Sequence, residues 1–129
     1  MLDAMTQGND GSAATLHARS SREAFARLAS YVVRSPEQLR IEEAMLLISS
    51  AVDVVVHVGW SSGPARRRVV ASVREVTGLM EAAIPATNEL FAPGPDGVAV
   101  RTPVPASAQL VAAVEEAGAD PRLLAARPP

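Results

Sequence analysis

The sequence predicts a mixed α/β domain, and three observations carry that expectation. Two stretches place apolar residues at helical spacing behind a capping signature. Ser20-Ser21-Arg22-Glu23 leads into Phe25, Leu28, Ala29, Val32 and Val33, and Ser35-Pro36-Glu37-Gln38 leads into Leu39, Ile41, Met45, Ile48 and Val52. Asp53–Trp60 is dense in β-branched residues, and a Ser61-Ser62-Gly63-Pro64 turn joins it to a returning run, the pattern of an antiparallel hairpin. At 129 residues the chain has the length of one domain.

Taken in order, Met1–Thr6 reads as the tail of a helix that Gln7-Gly8 ends, and Asn9-Asp10-Gly11-Ser12 is turn chemistry. Ala13–Ala18 is short, uncharged up to His17 and bounded by turn signals, so it reads as a buried strand. The first helix follows from Ser20. The second is expected over about residues 36–51, with Pro36 at its first position. Asp53–Trp60 reads as a central strand, and Arg66–Val76 returns with Val69, Ala71 and Val73 on one face. Thr87–Phe91 and Gly97–Thr102 form a further short pair around Pro93-Gly94-Pro95-Asp96. Pro103-Val104-Pro105 is a spacer, Ser107–Ala117 is a helix ended by Gly118, and Asp120-Pro121 opens a last turn before the Arg127-Pro128-Pro129 tail.

Composition narrows the chemistry. Apolar residues make up 48% of the chain but aromatics only 3%, so the core has to be aliphatic. The net charge of −2 gives no overall attraction to nucleic acid or to an anionic membrane, and membrane association is expected only through a partner. There is no cysteine, hence no disulfide, thiol nucleophile or thiolate metal site. All 12 basic residues are arginine. A phosphate-gripping GxxxxGK[ST] loop, which needs its lysine, cannot be built from this sequence. No apolar run approaches the ~18 residues of a membrane span, and residues 1–20 lack signal-peptide order.

The candidate chemistry lies near Thr15 and His17. On a strand they share one side, and at its carboxyl end they could hydrogen-bond a γ-phosphate or its attacking water. The plainer alternative is an edge histidine satisfied by a backbone carbonyl. Arg66-Arg67-Arg68 reads as a solvated rim or an inter-subunit contact, with a phosphate or acidic-lipid patch as the third alternative. Glu42-Glu43 and Glu115-Glu116 are adjacent on helices and do not face each other. His57 stands alone in its strand, and two histidines without cysteine make no metal signature.

The run Ala4-Met5-Thr6-Gln7-Gly8-Asn9-Asp10-Gly11-Ser12, with Thr15-Leu16-His17-Ala18, resembles the His box of type II/IV secretion system ATPases of the pilus-assembly (CpaF/TadA-like) branch. The likeness continues through an Arg- and Leu-bearing helix and the Ala51-Val52-Asp53 step into a strand. It then takes in Arg67-Arg68-Val69…Glu75-Val76-Thr77-Gly78, Leu90-Phe91 with Asp96-Gly97, and the Leu110…Gly118…Leu123 tail, roughly residues 1–124 in all. Gln7, Asn9 and Arg19 depart from the family pattern.

The resemblance implies the C-terminal part of a RecA-like P-loop ATPase domain: two central helices, an antiparallel hairpin and a C-terminal helix. On this expectation residues 1–102 are the partial ATPase region, and 103–129 are spacer, helix and tail. It assigns catalytic roles to Thr15 and His17 and nucleotide contacts to Gly11 and Ser12, with ATP and Mg²⁺ as the family's cofactors. It implies ATPase subunits in a hexamer and inner-membrane platform proteins as partners, no nucleic acid, and a place in the cytoplasm, peripheral to the inner membrane through those partners. The family's phosphate loop and acidic strand lie upstream of the His box and are not in this sequence. The expected activity is therefore a truncated ATPase that does not hydrolyse ATP alone, or else a non-catalytic module that binds or regulates an intact one.

Overall fold

A computed structural model describes residues 11–81 and 84–125. The expectations for Met1–Thr6, Gln7–Asp10 and Arg127–Pro129 lie outside the described residues. In chain order the elements are α1 (Glu23–Val33), α2 (Ile41–Ala51), β1 (Val54–Trp60), β2 (Arg68–Met80), β3 (Ile84–Pro93), β4 (Ala99–Arg101), α3 (Ala108–Glu116) and a 3-10 turn at Pro121–Leu124. The strands form one four-stranded antiparallel sheet in the order β1-β2-β3-β4. The fold is thus mixed α/β, as expected, and the anticipated hairpin is the first half of a four-stranded meander.

The chain divides into two compact units. One holds the residues up to Val55 together with Val76–Thr87. Its core joins Phe25, Leu28 and Ala29 of α1 to Ile48 and Ala51 of α2, with Leu16, Val32, Met45, Val52, Val55 and Val76 packed around them. Ile48 is fully buried, and four of the unit's buried positions, Ala24, Ala29, Ala44 and Ala51, are alanine, so the two helices meet through small side chains.

Helix α1 starts later than the Ser20 cap implies: Ser20 Oγ accepts the Glu23 N–H at 3.1 Å, but the N-cap residue is Arg22 and Glu23 is the first helical residue. Helix α2 does not begin at residue 36. Ser35 turns its hydroxyl back to the Val32 carbonyl at 2.6 Å instead of capping forward, and Gln38 adopts φ +50°, a left-handed conformation that no helix continues through. The helix starts five residues later, where the Arg40 N–H donates to Glu43 Oε2 at 2.9 Å. As a result Ile41, expected in the core, is exposed.

The other unit holds Val56–Glu75 and the chain from Asn88 onward. β3 and β4 pair with Phe91 opposite Arg101 and Pro93 opposite Ala99. Their turn is closed by the Gly94 N–H to Val98 O bond at 2.8 Å. Gly97 sits there at φ +81°, and a Cβ on it would stand 3.2 Å from the Trp60 carbonyl oxygen, so both backbone angle and space require glycine. Leu90 is the fully buried apolar side chain of this unit. Ser107 caps α3 by accepting the Leu110 N–H at 3.1 Å. The helix ends in a Schellman pair, Ala119 N–H to Val114 O and Gly118 N–H to Glu115 O, with Gly118 at φ +76°.

Two further expectations need correction. Ala13–Ala18 is not a strand: residues 12–18 have no regular structure, and most are exposed. Among them only Leu16 offers enough apolar surface to reach the core, and its neighbours Ala13 and Ala14 stay in solvent. β1 is an edge strand, not a central one. Its burial alternates, with Val54, Val56, Val58 and Trp60 exposed. A run of β-branched residues here marks a strand with one open face, not one covered on both.

Candidate functional site

The stretch after Gly11 is placed from both sides. Leu16 packs against the α1–α2 core. Beyond it the Arg19 N–H donates to Glu23 Oε2 at 2.7 Å, tying the segment to the first turn of α1. That backbone bond, with the nearby Arg27 guanidinium 3.4 Å away, holds the Glu23 carboxyl below the usual carboxylate range. Thr15 and His17 flank Leu16 and are both exposed, as are Gly11 and Ser12. Gly11 adopts φ +85°, the conformation its turn requires. Gly8 and Asp10, which share the resemblance, lie outside the described residues.

These side chains do not make a nucleotide–Mg²⁺ centre by themselves. Holding a triphosphate needs convergent backbone amides, a lysine and oxygen ligands for the metal. The chain has no lysine. Among the described residues no group of three or more His, Asp or Glu side chains is gathered as metal ligands. Gly11, Ser12, Thr15 and His17 are an exposed strip, able to present a hydroxyl and an imidazole to a phosphate that other groups would hold.

The second unit contains a polar cluster that sequence reasoning did not single out. Arg74 and Glu75, adjacent on β2, are only 6% and 3% exposed. They point to opposite faces of the strand. Arg74 pairs with Glu89 at 2.9 Å, and Glu89 Oε1 also accepts from Ser72 Oγ at 3.2 Å. The Glu75 carboxylate meets the start of α3: it accepts the Ser107 N–H at 3.1 Å, the Ser107 hydroxyl, and Asn88 Nδ2 at 3.5 Å. A buried anion at a helix N-terminus is satisfied by amides and the helix dipole without a cationic partner. The available signal was two adjacent charged residues inside an otherwise apolar strand sequence.

Arg101 plays a comparable part with carbonyls. Its Nη1 donates to the carbonyls of Leu90, Thr102 and Val104 at 2.7, 2.9 and 2.8 Å, and its Nη2 donates to Leu124 O at 2.6 Å. The guanidinium also lies 5.4 Å from the Phe91 ring centroid. One side chain thereby ties β3, the segment after β4 and the 3-10 turn together. Both clusters read as architecture, although the buried Arg101 Nε finds no hydrogen-bond partner.

The β1–β2 hairpin end is different. Arg66 and Arg68 lie over the Trp60 ring, with guanidinium carbons 5.6 and 4.8 Å from its centroid. The three arginines, for which a solvated rim, an inter-subunit contact and an anionic patch are the alternatives, include two that pack on an exposed aromatic.

No protein-family model matches this chain, and no curated protein matches it. Among the described residues no helix is long and apolar enough to cross a membrane.

Proposed function

We propose that this chain is the part of a type II/IV secretion ATPase that runs from the His box to the carboxy-terminal helix. In this reading it works inside an ATPase assembly and does not turn over ATP by itself. One observation carries the reading: the motifs of the resemblance follow one another in the family's order, several of them at the ends of elements and others inside β2 and β3. Thr15 and His17 precede the helix pair. Ala51-Val52-Asp53 is the step from α2 into β1, and Arg68-Val69 opens β2. Leu90-Phe91 lies in β3, Asp96-Gly97 in the β3–β4 turn, and Gly118 ends α3.

Thr15 and His17 then form one wall of a nucleotide site. The threonine hydroxyl and the imidazole would contact the terminal phosphate or the attacking water, while the lysine and the Mg²⁺ ligands come from elsewhere in the assembly. Further ATPase subunits and an inner-membrane platform protein are the partners this reading names, at the cytoplasmic face of the membrane.

Affinity capture tests it. The tagged chain, expressed in its native cell, should retain a subunit bearing a complete GxxxxGK[ST] loop, identified by mass spectrometry. Capture of no such subunit under conditions that keep the tagged chain folded overturns the proposal.

A further inference from the structure

We infer that the β1–β2 hairpin end is a docking surface for an anionic lipid bilayer. The inference does not rest on the nucleotide reading. It starts from a charge asymmetry. The chain carries 14 acidic residues, yet none lies between Asp53 and Glu75, a stretch that holds Arg66, Arg67, Arg68 and Arg74. Arg74 is buried and paired with Glu89. Among the described residues Arg66, Arg67 and Arg68 enter no ion pair. They remain a local concentration of positive charge in a protein whose net charge is −2.

The surroundings of these arginines are apolar. Trp60 is 52% exposed beneath Arg66 and Arg68, and Val56, Val58 and Val70 are exposed to a similar degree. Residues 56, 58 and 60 alternate on β1 and so share a face, and the stacking of Arg68 on Trp60 puts Arg68 and Val70 of β2 on that face as well. The hairpin itself is pinned: the Ser61 N–H donates to Arg67 O at 2.9 Å, and the Arg67 N–H donates to Ser61 Oγ at 3.0 Å. Between them run the small, uncharged Ser62-Gly63-Pro64-Ala65 and then Arg66. Asp96 touches the loop through its backbone carbonyl, which accepts the Ser62 N–H at 2.7 Å, while its carboxylate takes the Val98 N–H.

Guanidinium groups beside an amphipathic tryptophan and bare valines match one environment on both counts. Headgroup phosphates meet the arginines, and the acyl boundary meets the ring and the aliphatic side chains. A nucleic acid would leave the valines unmatched, and the two guanidinium groups on Trp60 compete with base stacking.

The chain's single tryptophan reports directly on this surface. With phosphatidylglycerol vesicles the protein should co-sediment and the Trp60 emission should shift to the blue. With pure phosphatidylcholine vesicles it should do neither. Raising the salt should weaken the binding. The combined change Arg66→Gln, Arg67→Gln and Arg68→Gln should lower binding at least ~tenfold, and the same three changes to Lys should retain it, because headgroup attraction scales with charge. Equal binding to both vesicle types, binding indifferent to salt, or full binding by a folded glutamine variant overturns the inference. Two other results also overturn it. A blue shift that grows with protein concentration without vesicles assigns the face to a second copy, and a shift with polyglutamate but not with vesicles assigns it to an acidic protein.

Discussion

Glu75 shows how one buried charge can organise a junction. Its carboxylate receives donors only, from Ser107 and Asn88, so an amide in its place would set an NH₂ group against one of them. Glu75→Gln is therefore expected to destabilise the protein by about 1–3 kcal/mol, the range for an unsatisfied buried polar group. Urea denaturation followed by circular dichroism measures it, and an unchanged midpoint would contradict the assignment. Arg101 makes a parallel case. Lys cannot span four carbonyls, so Arg101→Lys should cost about 1–3 kcal/mol in the same assay, where a purely electrostatic role would predict no change. Neither residue was legible as a junction in the sequence. A charge inside a strand sequence announces that a partner exists, but not which of the later residues supplies it.

At the scale of the element, the helix pair was legible and its boundaries were not. The apolar stripe of α1 reads directly as its buried face, Phe25, Leu28 and Ala29. The start of α2 was missed because two capping signatures compete within a few residues. Ser35-Pro36-Glu37-Gln38 has the better sequence, but the Ser35 hydroxyl is turned back toward the end of α1 and Gln38, at φ +50°, interrupts the helix path. Arg40 with Glu43 takes over. The resulting burial pattern is testable: Ile48→Ala should cost about 2–5 kcal/mol, whereas Ile41→Ala should stay within about 0.5 kcal/mol of the parent, measured by denaturant titration. Similar losses at both positions would contradict the boundary.

The caps also set a pH dependence. Glu23, held by the Arg19 N–H, and Glu43, held by the Arg40 guanidinium and N–H, both have their carboxyls below the usual range in the folded protein. A depressed folded value stabilises above the unfolded carboxylate range and is lost as pH falls through the folded one. Helical circular dichroism should therefore erode on acidification from the carboxylate range downward and stay flat above it.

At the scale of the molecule, the α/β class and the hairpin followed from periodicity, while the site followed only as residue types. A segment uncharged up to His17 and bounded by turn signals reads as a strand, but Ala13–Ala18 has no hydrogen-bonded strand neighbour among the described residues to make it one, which leaves Thr15 and His17 in irregular chain. The valines of β1 suit a central strand and an edge strand with alternating exposure equally, and the sheet order makes it an edge. In the proposed reading the exposed Thr15–His17 strip is incomplete without other subunits. Purified alone, the chain should release no phosphate from Mg²⁺-ATP above blank in a malachite-green assay, and clear Mg²⁺-dependent turnover would refute that.

Hydrogen exchange on the captured assembly asks the question most directly. Adding a non-hydrolysable ATP analogue with Mg²⁺ should slow amide exchange at Thr15–His17 in the assembly and leave those amides unchanged in the isolated chain. Protection in the isolated chain, or none in the assembly, would contradict the proposal that these residues are one wall of a shared nucleotide site.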